Sequence, residues 1–426
     1  MNRLTRTFLH ATLLPAILGL SACGGDDLVG SPSSNNPTDT GGSDTTGDIV
    51  PPTYTNVTLN SHIPERVPTL ENPDITYEAL VMEQLFITGN PTSDFLYVLS
   101  DVSFDRVHVY RAEDIEQTML DESEYPLNTM AVSVDNDIMV HIKQGMRVID
   151  IASGDTNQIG TSGALFQASI DNLTITDDGG RVAFIVDSDL TTENPDNYYQ
   201  IYTLSTDGND VFTQISSFDA DYFSSTTVST VHALSGDGNQ VFFHSDADIL
   251  GDGSNADGSD EIFSISIDGS TIKQLTSLDL ASTIIEIETD SGGNNVAFLT
   301  SDSELYSVDT ATENAVLIDT LGKTIDIIIG SSIAQFDIAA SGNVIYYATR
   351  SVPAEYPTMH EKVIYAVNPD GTNKNQVFTT GPVSYGSDIM SPQPSADGSK
   401  VSFLSSFDFG LTVAGENKTQ VYTMTP

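Results

Sequence analysis

Residues 235–276 read SGDGNQVFFHSDADILGDGSNADGSDEIFSISIDGSTIKQLT. A tight-turn signal, SGDGN, introduces a short apolar run, QVFFHS, and an acidic loop follows it. The chain then gives a second run, EIFSIS, an Asp-Gly turn, and a third run, TIKQLT. Asp and Asn bond their own backbone and Gly takes positive φ freely, so such clusters reverse the chain between strands. Runs of four to eight residues rich in β-branched and aromatic side chains, bounded by those turns, are strand signals. With STVHALS ahead of it, from Ser229, the stretch predicts one four-stranded antiparallel unit.

The unit recurs. Turn-preceded relatives of QVFFHSDAD begin at Arg181 (RVAFIVDSD), Asn295 (NVAFLTSDS), Asn343 (NVIYYATRS) and Lys400 (KVSFLSSFD). Looser copies begin at Phe95 (FLYVLSDVS) and Asp137 (DIMVHIKQG). Their starts lie roughly 40 to 60 residues apart, the period of propeller blades. A second element follows each copy, as in QIYTLSTDG, EIFSISIDG, ELYSVDTAT and QVYTMTP. Its polar–apolar alternation predicts strands with one buried face. The fold expected is all-β: a β-propeller of four-stranded antiparallel blades, seven by this count. Six is the alternative if the copies at Phe95 and Asp137 are miscounted. The last copy runs out at Pro426 after its third strand, and TYTNVTLNS, residues 53–61, has strand composition without a partner. It is predicted to supply the missing outer strand and close the ring, which removes the edges an open sheet would expose. Residues 62–84 receive no assignment.

Composition narrows the partners. The chain has 426 residues, 60 acidic and 15 basic, a formal net charge of −45. Such a surface is repelled by phosphate backbones, so nucleic-acid binding is excluded, whereas cationic ligands or basic partners suit it. Many of the aspartates fall in Asp-Gly turns, where their first task is to shape the backbone. At the N-terminus, Arg3 and Arg6 precede a short apolar run that ends in Leu20-Ser21-Ala22-Cys23. Residues 1–22 therefore read as a secretory signal. LSAC also resembles the lipobox of bacterial lipoproteins. The resemblance implies cleavage before Cys23 and acylation of that cysteine, the only one in the chain. Gly24 follows it, where aspartate is associated with inner-membrane retention, so the resemblance leans to the outer membrane. Residues 23–52 are mostly Gly, Ser, Thr, Asp, Asn and Pro with almost nothing to bury, the composition of a disordered tether. Residues 53–426 form the propeller.

The units at residues 235–276 and 176–208 (TDDGGRVAFIVDSDL…YYQIYTLSTDG) resemble the TolB-like, or PD40, family of propeller repeats. The resemblance is good from about residue 171 onward and weak over the first two copies. Residues 53–84 are too short for the α/β domain that precedes the propeller of TolB, so that protein's partners are not carried over.

The acidic loop could hold calcium through Asp248, Asp252, Asp257 and Asp260. An EF-hand register fails, however: counted from Asp252, position 5 is Ala256, position 6 is Asp257 and position 12 is Phe263. The loop at 187–199 shares its Asn-x-Asp centre, which points to a loop shape common to the blades. Longer loops at 187–199, 246–260, 351–362 and 406–419 are all expected on one face, where function sits on rigid scaffolds. No nucleophile elbow, P-loop, dinucleotide fingerprint, H-E-x-x-H or C-x-x-C occurs. The expectation is a lipid-anchored, non-enzymatic propeller with no cofactor beyond possible calcium. It would serve as a scaffold for an envelope protein or polysaccharide. The alternatives are a propeller-type polysaccharide lyase or glycosidase, favoured if His232 and His244 line the central channel, and a calcium-stabilised structural module.

Overall fold

The computed structural model describes the strands from residue 57 onward and most residues between 130 and 424. Residues 1–56 lie outside the described residues, and so do Cys23, the signal and the tether. Also outside are several loop segments, among them 161–169, 224–230, 322–335 and 410–419.

The described elements are all β-strands, and six four-stranded antiparallel sheets form the blades of a propeller ring. The second blade comprises Met130–Val132, Ile138–Ile142, Met146–Asp150 and Thr156–Ile159. Leu173–Ile175, Arg181–Val186, Gln200–Ser205 and Phe212–Gln214 make the third. The fourth, the unit quoted from the sequence, comprises His232–Leu234, Gln240–Ser245, Glu261–Ser266 and Ile272–Gln274. The fifth is Ile284–Thr289, Asn295–Thr300, Glu304–Asp309 and Asn314–Thr320, and the sixth is Phe336–Ile338, Val344–Ser351, Met359–Val367 and Asn375–Ser384. The closing blade joins Ile389–Pro394, Val401–Ser405 and Gln420–Met424 to Val57–Leu59. That last strand is the predicted N-terminal closure, in register Val57↔Met424, Thr58↔Thr423 and Leu59↔Tyr422.

The remaining sheet breaks the pattern. The copy that begins at Phe95 lies in a five-stranded sheet, Arg66–Pro68, Thr76–Ile87, Phe95–Asp101, Val107–Glu113 and Glu116–Ser123. Four-stranded blades thus number six, and residues 62–84, unassigned from sequence, contribute two strands to this sheet. Inner strands pack side by side in chain order from the second blade to the closing one, and Thr76–Ile87 packs against Ile389–Pro394.

Burial corrects the expectation of one buried face. Gln240–Ser245 and Glu261–Ser266 are buried on both sides because each blade is stacked between two others. Phe242 points into the cluster shared with the fifth blade, beside Ile284, Ile287 and Phe298. Its neighbour Phe243 points the other way, onto Ile185 and Ile201 of the third blade. Each phenyl ring so buried contributes roughly 2–3 kcal/mol, and Phe243 also stacks on Phe263 at 5.7 Å.

The turn signals have a common construction. The Thr176 hydroxyl donates to Asp178 Oδ1 at 2.6 Å and accepts the Arg181 N–H at 3.1 Å, while Gly180 N–H donates to the same carboxylate at 2.9 Å. In the next blade Ser235, Asp237, Asn239 and Gln240 repeat these bonds at 2.7–3.0 Å. Gly179 and Gly238 occupy the left-handed position of the turn, φ +68° and +70°. The turns are also sewn to each other. Asp177 N–H donates to Gly236 O at 2.9 Å and Asp237 N–H to Ser291 O at 2.8 Å, while the Ser291 hydroxyl reaches back to the Asp177 carboxylate.

Candidate functional site

The long loops emerge at the opposite end of the strands. In the third and fourth blades they are built alike, each around one asparagine that is 3% exposed. Asn194 Nδ2 donates to Tyr198 O at 2.7 Å and to Asp187 O at 3.4 Å, and its Oδ1 accepts Tyr198 N–H at 3.1 Å. Asn255 Nδ2 donates to Ser259 O at 2.9 Å and to Ala247 O at 3.3 Å. A primary amide offers two donors and an acceptor, enough to hold a loop in place of a hydrophobic core. Around these centres Asp187, Glu193 and Asp196 of one loop and Asp246, Asp252 and Asp257 of the other are exposed. The loop expected at 351–362 is shorter than read: Val344–Ser351 pairs with Met359–Val367 as far as Ser351↔His360. The loop at 406–419 lies almost wholly outside the described residues.

The four calcium candidates are drawn to separate partners. Asp248 Oδ2 accepts Gly253 N–H at 2.9 Å, and its Oδ1 is buried without a partner. Asp252 accepts Ser254 N–H at 2.9 Å, and Asp257 accepts the Ser259 hydroxyl at 3.1 Å. Asp260 turns inward, onto His244 Nδ1 at 2.8 Å and Ile284 N–H at 2.8 Å. Among the described residues no three His, Cys, Asp or Glu side chains assemble into a metal-binding group.

The histidines serve the seams between blades. His232 Nε2 bonds Ala183 O of the third blade at 3.0 Å, which puts its proton on that nitrogen. His244, 1% exposed, binds the fourth blade to the fifth through Asp260, and its Nε2 is buried without a partner. The two do not join in a metal site.

Two acidic features were invisible in the sequence. Glu261, 2% exposed, accepts Leu278 N–H at 2.7 Å, the Ser259 hydroxyl at 2.8 Å and the Thr276 hydroxyl. Burial pushes its carboxyl up, against these hydrogen bonds. Gln200 holds the same place in the third blade, accepting Ser216 Oγ–H at 2.6 Å and Phe218 N–H at 3.0 Å. The position therefore pins a strand to the chain that follows it. The second feature is Glu288 and Asp337, on the adjacent inner strands of the fifth and sixth blades. Both are half-buried, and desolvation, then the Asp337 and Glu286 charges, hold Glu288 well above the usual carboxylate range. Desolvation pushes Asp337 up to about 7, although Ile338 N–H donates to it at 2.7 Å. At neutral pH this pair retains a proton that exposed carboxylates would lose. Inner-strand carboxylates at one step's separation could have been searched for, but their coupling depends on how two blades pack.

No protein-family profile matches the chain, and no curated protein matches it in a search. Solved structures do. An oligogalacturonate lyase from Vibrio parahaemolyticus covers 87% of this chain and 98% of its own, with TM-score 0.52 and 11% identity. An oligogalacturonate lyase in complex with manganese covers 85% and 98%, with TM-score 0.46 and 10% identity. A TolB-like protein from Agrobacterium tumefaciens covers 73% and 94%, with TM-score 0.42 and 14% identity. Only the first of these exceeds a TM-score of 0.5, and at 11% identity it speaks for the fold alone. It nonetheless overturns one expectation. The absence of sequence motifs is no ground for a chain without enzymatic function, because an oligogalacturonate lyase has the same fold.

Proposed function

We propose that this protein is a lipid-anchored propeller of the bacterial envelope that grips a basic partner with the loop end of its ring. The anchor is Cys23 and the tether residues 23–52, which give the ring reach from the outer membrane. One observation carries the grip: the loops at 187–199 and 246–260 are each preformed around a buried asparagine and hold exposed carboxylates in fixed positions. A rigid acidic surface loses little entropy on binding and draws a basic partner in along its field. Cross-linking in intact cells, then mass spectrometry of whatever is held by the purified propeller, tests this. The expected result is a reproducible basic protein, lost when both loops are cut back to tight turns in a chain that still melts normally. A partner retained after that change overturns the assignment. For the anchor, Cys23→Ser should abolish incorporation of a labelled fatty acid and release the protein from the membrane fraction.

A second reading rests on Glu288 and Asp337. A carboxylic acid kept protonated beside a second carboxyl is the equipment of glycoside hydrolysis, and an oligogalacturonate lyase shares the fold. Release of reducing ends from an envelope polysaccharide, abolished in Glu288→Gln and Asp337→Asn, would support it. A glycan screen without turnover would remove it.

A further inference from the structure

At the turn end of the ring, on the side away from the loops, the seam between the third and fourth blades opens into a cleft of about 270 Å³. Why it opens here is seen by comparing successive seams at one position. Facing the next blade, the third strand carries Thr203, Ser264 or Ser307, and the outer strand opposite it carries Thr213, Lys273 or Val316. In the fourth blade Lys273 fills the seam, donating to Thr310 O at 3.0 Å and pairing with Glu313 at 2.9 Å. The fifth blade seals it with Val316, which lies against Gly371 so closely that a Cβ there would come within 3.3 Å. The Ser307 hydroxyl is entombed without a partner as a result. In the third blade Thr213 is too short to do either.

What the cleft presents is unusual for this chain. Arg181 stands at one side, one of only 15 basic residues, and Asp268 at the other. Thr203 is 4% exposed, and neither its hydroxyl nor the Arg181 guanidinium has a hydrogen-bond partner among the described residues. The Ser266 hydroxyl, with Ser270 N–H and its hydroxyl, pulls Asp268 down to about 2, so its carboxylate remains an acceptor. Val211, 69% exposed, and Ile267 supply the apolar wall.

We infer that this cleft is a binding site for a small uncharged polyol, the size of one sugar residue. The volume falls just below the range of pockets for drug-sized ligands. A guanidinium fork, an unsatisfied hydroxyl and a carboxylate together match a ligand whose hydroxyls both donate and accept. Val211 and Ile267 would take its C–H face. Arg181 and Asp268 line the cleft with one charge of each sign, while the net charge of −45 repels free anions. The site lies at the other end of the strands from the acidic loops, so it stands or falls independently of the partner-binding reading.

The test is ligand-observed NMR and calorimetric titration of the folded full chain. Its probes are glucose, galactose, xylose and N-acetylglucosamine, with glucuronate as the charged control. At least one neutral sugar should bind saturably. Thr213→Lys, which copies the neighbouring seam, should weaken that binding by about tenfold or more, and Arg181→Gln should weaken it too. Thr213→Val, the other natural plug, gives the same reading should the lysine variant fold poorly. Binding by glucuronate alone overturns the ligand class. No neutral sugar bound by the wild type, or plugged variants that bind as the wild type does, overturns the site.

Discussion

The two ends of the strands are held together by different means. At the turn end, hydrogen bonds run from blade to blade: Asp177 to Gly236, Asp237 to Ser291, and the Ser291 side chain back to Asp177. At the loop end, the bonds described for 187–199 and 246–260 mostly stay within each loop and its own blade, centred on Asn194 and Asn255. His244–Asp260–Ile284 is a tie that does cross a seam there. The contrast teaches which end can change. A substitution among sewn turns is felt by the neighbouring blade, whereas one in a self-braced loop is absorbed locally.

The largest expected effect is at the turn end, where a turn of one blade packs on the next. Gly269 has φ +70°, and a Cβ there would lie 2.3 Å from the carbonyl oxygen of Ile215 in the neighbouring blade. Gly269→Ala should cost about 4 kcal/mol in denaturant unfolding. A loss below 1 kcal/mol would mean that the seam yields, which would break the comparison. Next comes Asn255→Ala, which removes the amide at the centre of a loop and should cost about 3 kcal/mol at most. Its effect should be local: faster proteolysis within 246–260, with little change in global melting. Global unfolding instead would show that the loop end is sewn after all.

Asp337 sharpens the picture of the turn end through pH. Its folded value is raised, to about 7 against an ordinary 3.8, so the protonated form is the one favoured by folding. The stability this contributes is fully present below about pH 4 and is lost as pH rises through 7. Asp337→Asn should therefore match the wild type at pH 4 and be the more stable of the two at pH 8. Equal stability at both pH values would place the carboxyl in water. The Asp-Gly turns carry the opposite sign. Hydrogen bonds from hydroxyls and backbone N–H groups lower Asp178, Asp309 and Asp370, so their contribution is lost as pH falls below the ordinary carboxylate range. Smallest is Gly251→Ala. It has φ +67° but nothing within 4 Å of a Cβ, so only backbone strain is felt, about 1 kcal/mol. The gap between the two glycine substitutions measures the difference between the ends directly.

Much of this architecture was legible because it is local. Turn signals such as SGDGN mark a bracket built within six residues, and the Asn-x-Asp centres mark a loop that folds on itself. Even the closing strand could be read, since 53–61 had strand composition and the last blade lacked a partner. What was missed is relational. Burial on both faces, the pinning role shared by Gln200 and Glu261, and the seam duties of His232 and His244 all arise where one blade meets another or meets its own linker. Thr76–Ile87 was missed for a different reason. Its register with Phe95–Asp101 shifts between Val81 and Leu85, which breaks the regular spacing that signals a blade. The separate partners of the four aspartates at 248–260 were likewise not legible, because spacing shows proximity along the chain but not where each side chain finds its partner.

The pairing of Val57–Leu59 with Gln420–Met424 also bears on how the ring is made. The two strands meet only after nearly the whole polypeptide is available, so this contact carries one of the longest sequence separations in the molecule. Blades built from neighbouring hairpins can assemble as they emerge, because their contacts are local. The last sheet must wait, with an unpaired edge open to other chains until then. Ring closure is thus expected to be the final and slowest step of folding, and the moment at which the newly made protein is most exposed to aggregation.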